Sequence, residues 1–566
     1  MEDLTWQWRN PLPQGNTLRA AAYGCNLFVA VGQHGTILSS DKASEWTDRS
    51  GICEDYLLDI TFAAGQFVAV GSNGRIISSP DGAEWIARES GTVHWINSVA
   101  YGIGHFIAVG QGGITLQSED GVHWNSAYLG PYWLNGLAFN EGVFVAIGNS
   151  NVIFTSSNGI DWVNRGEPTS ARLNSIAYGN GLFVAVGANG TIITSADGEN
   201  WLNRDSPTGA DLQAVAFGGG QFVAVGCGAP KPGVSIKSED GISWEGGPWS
   251  DLQYAKGLTW GGGFFLAVGQ GGIILNSPEG NSWTRQTRGV YENLKDMVFG
   301  NSSFIAVGAV GMILKSREGQ DWEEVPSGSG ENLRGVLYTV GLYLAVGENG
   351  TIITSHDGDS WVEQEVSISN DLNAAAYGGG VFVAVGQKGL IISSSDSVNW
   401  EVQYSGTTNA LLDVSYGAGL FVAVGDFATV LVSNDGANWE KQKIPALVNL
   451  IEGIVYASRQ FIAVGDFGLV LTSRDGKNWE EHSLPETVEL KALSASHLET
   501  VAVGADGAIY SSPDGSQWTR EPSGTQNTFY GVASGLEGFV ACGDFGSIMQ
   551  LTPRPWISPS AGEVSR

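Results

Sequence analysis

Residues 173–201 read LNSIAYGNGLFVAVGANGTIITSADGENW. Leu173–Tyr178 is a short, mostly apolar run, and Gly179-Asn180-Gly181 closes it with a tight turn, because Gly and Asn accept positive φ. Leu182–Gly187 is a second run, ended by the turn Ala188-Asn189-Gly190. Thr191–Thr194 is a third, followed by the turn Ser195-Ala196-Asp197-Gly198, and Trp201 opens a fourth. Apolar runs of four to six residues between Gly/Asn/Asp turns predict strands buried on both faces. Nothing in the stretch sustains a helical period. Four antiparallel strands, here named a to d, in so short a span predict one propeller blade.

The same unit recurs along the whole chain. Phe-Val-Ala-Val-Gly or a close variant ends at fourteen glycines, from Gly32, Gly71, Gly110, Gly148 and Gly187 to Gly504 and Gly543. The step between them is 39 residues, apart from single steps of 38, 40 and 43. A tryptophan keeps the same step from Trp46 to Trp518, and Trp8 lies 38 residues before Trp46. A blade cannot bury both faces alone, so such units must stack. The sequence therefore predicts an all-β protein, a β-propeller of fourteen four-stranded blades of about 39 residues each.

Repeat 14 runs as far as Ser547-Ile548-Met549-Gln550 and then lacks a tryptophan in register. The missing strand lies at Trp8-Arg9-Asn10, so the N-terminal strand is expected to complete the last blade and cover two sheet edges. Rings of four to eight blades are usual, so fourteen units predict two seven-bladed propellers, with one fourteen-bladed ring as the alternative. If the N-terminus joins repeat 14 to repeat 1, residues 1–250 plus 525–566 form one ring and residues 251–524 the other.

Composition narrows the function classes. The 566 residues carry 28 Lys+Arg against 58 Asp+Glu, a net charge of −30. Nucleic acid and anionic membrane surfaces call for a basic stripe, so neither is an expected partner. With 42% hydrophobic residues the chain is not disordered. No apolar run approaches 18 residues, so no membrane insertion is expected. The N-terminal Met1–Trp6 lacks a basic and then apolar leader, which fits a cytoplasmic chain or a mature secreted one. Cys25, Cys53, Cys227 and Cys542 fit neither a disulfide framework nor a zinc pattern. The pattern specifies no oligomeric state.

The turn before each tryptophan reads Ser-x-Asp-Gly-x-x-Trp, as in Ser79-Pro80-Asp81-Gly82 to Trp85 and Ser512-Pro513-Asp514-Gly515 to Trp518. It resembles the Asp-box (BNR) repeat of sialidases, sortilin-type propellers and the photosystem II assembly and stability factors, and looks closest to the last. It is one residue shorter than the familiar Asp-box. The resemblance implies a non-enzymatic seven-bladed scaffold, and this chain departs from it in having twice the blades and strong acidity. The aspartate itself reads as a turn cap. Asn158, Glu279 and Glu318 replace it, which an acid/base or metal role would not tolerate.

Constant positions in a repeat array are scaffold, so function is sought in the departures. The residue just before strand a, at its entry from the mouth, is Tyr56, Trp95 and Trp133 in successive repeats, followed by Arg172. Adjacent aromatics at a propeller mouth suit a sugar ring, a peptide or an apolar patch of a partner. If repeats 14 and 1 to 6 form one ring, Phe529 and Tyr530 are expected near the same sector. Two positions further on, period 2 turns a mostly polar set towards the axis. There Lys256, Lys295 and Arg334 fall in consecutive repeats and form a candidate carboxylate or anion site. The longer loop Cys227–Gly233 of repeat 6 is a candidate contact loop.

No His pair has metal spacing, and no nucleophile elbow or phosphate loop occurs, so no catalytic residue, cofactor or metal is assigned. The expectation is a non-enzymatic scaffold binding a protein or glycan partner, as an assembly factor does. The alternatives are a sialidase-like glycoside hydrolase, which would bring three arginines such as Arg19, Arg172 and Arg334 into one pocket, and a structural protein of a surface assembly.

Overall fold

A computed structural model describes residues 4–149, 152–166, 168–228, 231–444, 450–536 and 538–553. The described residues form fourteen four-stranded antiparallel sheets. Thirteen run in order a to d within one repeat. In the fourteenth, Phe529–Gly535, Gly538–Gly543 and Ile548–Pro553 are completed by Leu4–Asn10, with Trp8 opposite Met549. The N-terminal strand thus closes the last blade as the sequence predicts. Among the described residues no helix is long and apolar enough to cross a membrane.

Blade 5 shows how the sequence makes a blade. Strands a to d are Leu173–Gly179, Leu182–Gly187, Ile192–Ser195 and Leu202–Arg204. Strand b is buried on both sides. Phe183 and Ala185 pack with Val145 and Ile147 of blade 4, whereas Val184 and Val186 pack with Leu212 and Phe222 of blade 6. This is why the repeat reads as a continuous Phe-Val-Ala-Val run instead of alternating. Each fully buried valine or phenylalanine contributes roughly 1.5–3 kcal/mol.

The c–d turn is held from within. Asp81 Oδ1 accepts the backbone N–H groups of Ala83 (2.9 Å) and Glu84 (3.0 Å), and Ser79 Oγ accepts that of Gly82 (2.8 Å). The Trp85 indole donates to the Gly82 carbonyl at 3.3 Å. These hydrogen bonds hold the carboxyl of Asp81 below its usual range. The same turn recurs at Asp197, where they act with the Asn200 amide, and at Asp435, so the motif is scaffold.

The chain divides into two compact units, Pro13–Arg288 and Met1–Leu12 with Gly289–Arg566. The first holds blades 1–7 and the second blades 8–14. Two kinds of contact identify the neighbours. In blade 1 the carbonyl of Cys53, in the segment leading to blade 2, lies over Gly35 of the b–c turn, where a Cβ would be 1.9 Å away. Gly272 of blade 7 is covered in the same way by the Gln14 carbonyl leading into blade 1, and Gly546 of blade 14 by the Val290 carbonyl leading into blade 8. Gly261, ending strand a of blade 7, packs on the Tyr23 ring of blade 1 as Gly24 packs on Phe62 of blade 2. Each unit is therefore a closed seven-bladed ring.

This corrects the expected boundaries at residues 250 and 524. Blade 14 closes on blade 8, not on blade 1, and blade 7 stays with blades 1–6. The N-terminal strand completes blade 14 and the chain then leaves that ring at Leu12, so sharing a strand with the last repeat does not put repeat 1 beside it. Asn10 seals the second ring, donating from Nδ2 to the carbonyls of Val290 (3.1 Å) and Gly546 (2.6 Å) and accepting the Val290 N–H (3.2 Å).

Candidate functional site

The mouth of each ring is built from three pieces of every blade: the residue before strand a, the second residue of strand a, and the b–c turn. The repeating glycine makes this possible. A Cβ on Gly110 would lie 2.0 Å from the Trp95 carbonyl, and one on Gly71 would lie 1.9 Å from that of Tyr56. The next residue takes up the same carbonyl, with Gln111 N–H to Trp95 O at 2.8 Å and Asn149 N–H to Trp133 O at 2.8 Å. The mouth residues therefore have a fixed backbone. Behind them the strand a to b register slips in every blade, as between Ile96 and Ser98 opposite Gly110 and Val109. The second residue, Asn97 in blade 3, is the extra residue of a β-bulge, a device that re-aims a side chain.

In the first propeller two of the predicted aromatics touch. Tyr56 and Trp95, on blades 2 and 3, meet edge to face with ring centroids 5.9 Å apart. Trp133 of blade 4 is 38% exposed. Arg172 of blade 5 is exposed, and its Nε donates to Asn174 Oδ1 at 2.9 Å. Beneath them runs an amide ladder. Asn97, Asn135 and Asn174 each donate from Nδ2 at 2.8 Å to a carbonyl at the start of strand a of the next blade, those of Leu134, Leu173 and Leu212. The ladder ties neighbouring blades and leaves its side-chain carbonyls at the mouth. Arg19 of blade 1 lies near Tyr56, and burial lowers its pKa.

Lys256, Lys295 and Arg334 do not share one ring. Lys256 belongs to blade 7 of the first propeller, whereas Lys295 and Arg334 sit on blades 8 and 9 of the second. Phe529 and Tyr530 likewise fall in the second ring, and Phe529 is fully buried. Nor are the two remaining cations free. Arg334 pairs with Glu348 (2.6 Å) and Asp371 (3.0 Å) and donates to Asn373 (2.9 Å). Lys295 lies over the Tyr530 ring, 3.6 Å from its centroid. Burial lowers the Lys295 pKa and pushes the Tyr530 hydroxyl up to about 12. The three arginines of the hydrolase alternative are spread over blades 1, 5 and 9.

The second mouth carries a carboxylate group that no single repeat announces. Lys491 pairs with Glu452 (2.9 Å) and Glu489 (2.6 Å), and Glu452, Asp466 and Glu489 lie within 4.8 Å of one another. The repeat alignment contained the signal, since Glu452, Glu489 and Lys491 occupy the mouth positions of blades 12 and 13. The repeat 6 insertion lengthens strands b and c of its blade, Gln221–Gly228 and Lys231–Ser238; residues 229 and 230 lie outside the described residues.

No protein-family model and no curated protein matches the sequence. Among solved structures, an ancestral GH74 enzyme superposes on 98% of this chain and 100% of its own, with a TM-score of 0.71 and 12% identity. YCF48 bound to a D1 peptide covers 48% of this chain and 95% of its own (TM-score 0.41, 20% identity). A catalytically inactive virginiamycin B lyase from Staphylococcus aureus, with quinupristin, covers 48% and 98% (TM-score 0.43, 12% identity). At these identities the likeness is one of fold, and it places the chain among β-propellers.

Proposed function

We propose that this chain is a non-enzymatic binding scaffold, and that the mouth of its first propeller holds a protein or glycan partner against Tyr56, Trp95 and Trp133. One observation supports this above the others. Three aromatic side chains on successive blades stand at a mouth whose floor is a ladder of amides, and the Tyr56–Trp95 pair fixes two of them. Aromatic faces with amide donors and acceptors beneath suit a sugar ring or an extended peptide. The Ser-x-Asp-Gly-x-x-Trp turns, held by their own carboxylates, fit an Asp-box-type scaffold in which the repeated acids cap turns instead of performing chemistry.

Glycan-array and peptide-array binding by the intact chain tests the reading. Trp95→Ala with Trp133→Ala should abolish whatever binding the arrays reveal, because aromatic anchors dominate such contacts. The melting temperature should stay within a few degrees, since neither ring is in a blade core. A bound glycan should be recovered uncleaved. Unchanged binding in the double variant would remove the aromatic mouth, and release of reducing sugar would remove the non-enzymatic reading.

A further inference from the structure

We propose that the b–c-turn face of blades 11 to 13, in the second propeller, docks a basic, apolar polypeptide segment. The b–c turns have a left-handed tip residue, for which Asn and Gly are favoured. In the first propeller these tips include Asn73 (φ 53°), Gly112 (φ 69°) and Asn189 (φ 56°). On blades 11 and 12 the tip is instead Phe427 (φ 51°) and Phe467 (φ 56°), with exposures of 71% and 62%. A bulky ring gains nothing for the fold by standing in water on a conformation it disfavours.

The neighbouring residues fit the same use. On blades 8, 9 and 14 a polar side chain of the next blade holds the tip: the N–H groups of Val310, Asn349 and Phe545 donate to Asn332 (2.8 Å), Asp371 (3.1 Å) and Asn293 (2.9 Å). Beside Phe427 that place is taken by Leu450, which pairs with Asp426 through its backbone. Leu450 thus sets an apolar neighbour beside the Phe427 tip, where blades 8, 9 and 14 carry a polar one.

Charge then selects the occupant. Asp426 and Asp466 precede the two phenylalanines, Glu452 and Glu489 lie beside Asp466, and Asp506 is the tip of blade 13. Against these five carboxylates stands Lys491, already paired with two of them. Burial raises the pKa of both Glu452 and Asp466, and the Glu489 charge adds to the rise. A partner that lays apolar side chains on Phe427 and Phe467 must also bring cations to this crowded acidic rim. An acidic or neutral apolar segment lacks that complement.

The test uses the full chain and a fluorescein-labelled peptide of repeated Lys-Leu-Phe-Lys, followed by anisotropy. Binding should weaken with salt, as attraction between exposed charges does. Phe427→Asn with Phe467→Asn should weaken it by about tenfold or more. Asn accepts the left-handed tip, so these variants should melt no lower than the parent, which keeps folding out of the comparison. Asp466→Asn with Glu489→Gln should weaken binding and flatten its salt dependence. Trp95→Ala with Trp133→Ala should leave it unchanged, which separates this surface from the first-propeller mouth. Equal affinity for a Glu-Leu-Phe-Glu peptide, equal affinity for a Lys-Ser-Ser-Lys peptide, or parental affinity in the phenylalanine variants would each overturn the proposal.

Discussion

A methyl group on Gly110 would press into the Trp95 carbonyl at 2.0 Å, although its φ of −172° is extended backbone that any residue adopts. The constraint is steric and comes from the mouth. Gly110→Ala should therefore cost about 1–3 kcal/mol, the usual penalty for overpacking a tight site. It should also displace Trp95, so a thermal melt and tryptophan fluorescence should shift together. A melt unchanged from the parent would mean that the carbonyl can retreat and that the mouth is less fixed than it is drawn. The glycine was legible in the sequence as a repeat marker. Its reason was not, because it lies in a contact with the residue 15 positions earlier in the chain.

Blades are coupled through the third residue of strand a. Asp296 accepts the N–H groups of Met297 (2.8 Å) and, in the next blade, Val336 (2.8 Å); Asp413 does the same with Val414 (2.7 Å) and Ile454 (2.8 Å). Asp59 reaches blade 3 through Val99 and Ser98. Burial outweighs these hydrogen bonds and raises the carboxyls to about 6 for Asp59 and about 7 for Asp296 and Asp413. An unfolded aspartate titrates near ~3.9. The folded state thus holds these protons more tightly, and their contribution is complete below about pH 4 and lost as pH rises through about 6 to 7. The turn aspartates such as Asp197 are depressed, so their contribution is present above about pH 4 and lost below it. The melting temperature should accordingly decline between about pH 5 and 8. In blades 3 and 5 the same position is Ser98 and Ser175, each accepting the next blade's N–H at 3.2 Å. Asp296→Ser with Asp413→Ser should therefore keep the coupling and flatten the decline; a decline as steep as the parent's would place its origin elsewhere. Strand order and turns were readable from spacing alone. The bulge at the second residue was not, because period 2 assumes an unbroken ladder, and Asn97 is read as an ordinary strand residue until its partner strand is known.

At the scale of the whole chain, equal repeats make fold class plain and ring membership obscure. Nothing in the steps between Trp46 and Trp518 marks Arg288 as the end of a ring, because the linker there has the length common to most of the others. The contacts that decide it, Gln14 over Gly272 and Val290 over Gly546, join residues more than 250 positions apart. The same blindness broke the expected cation group, since Lys256 and Lys295 are consecutive in the repeat alignment but lie in different rings. Tyr56, Trp95 and Trp133 are not divided in this way, because they occupy neighbouring blades well inside one ring. A binding mouth carried by one self-sufficient seven-bladed ring is what the account rests on. It is tested most directly by expressing residues 13–288 and residues 1–250 separately and following each by circular dichroism during heating. The 13–288 fragment should melt in one cooperative transition, and the 1–250 fragment, which lacks blade 7 and carries a strand from the other ring, should show none. A folded 1–250 fragment beside an unfolded 13–288 fragment would contradict the account.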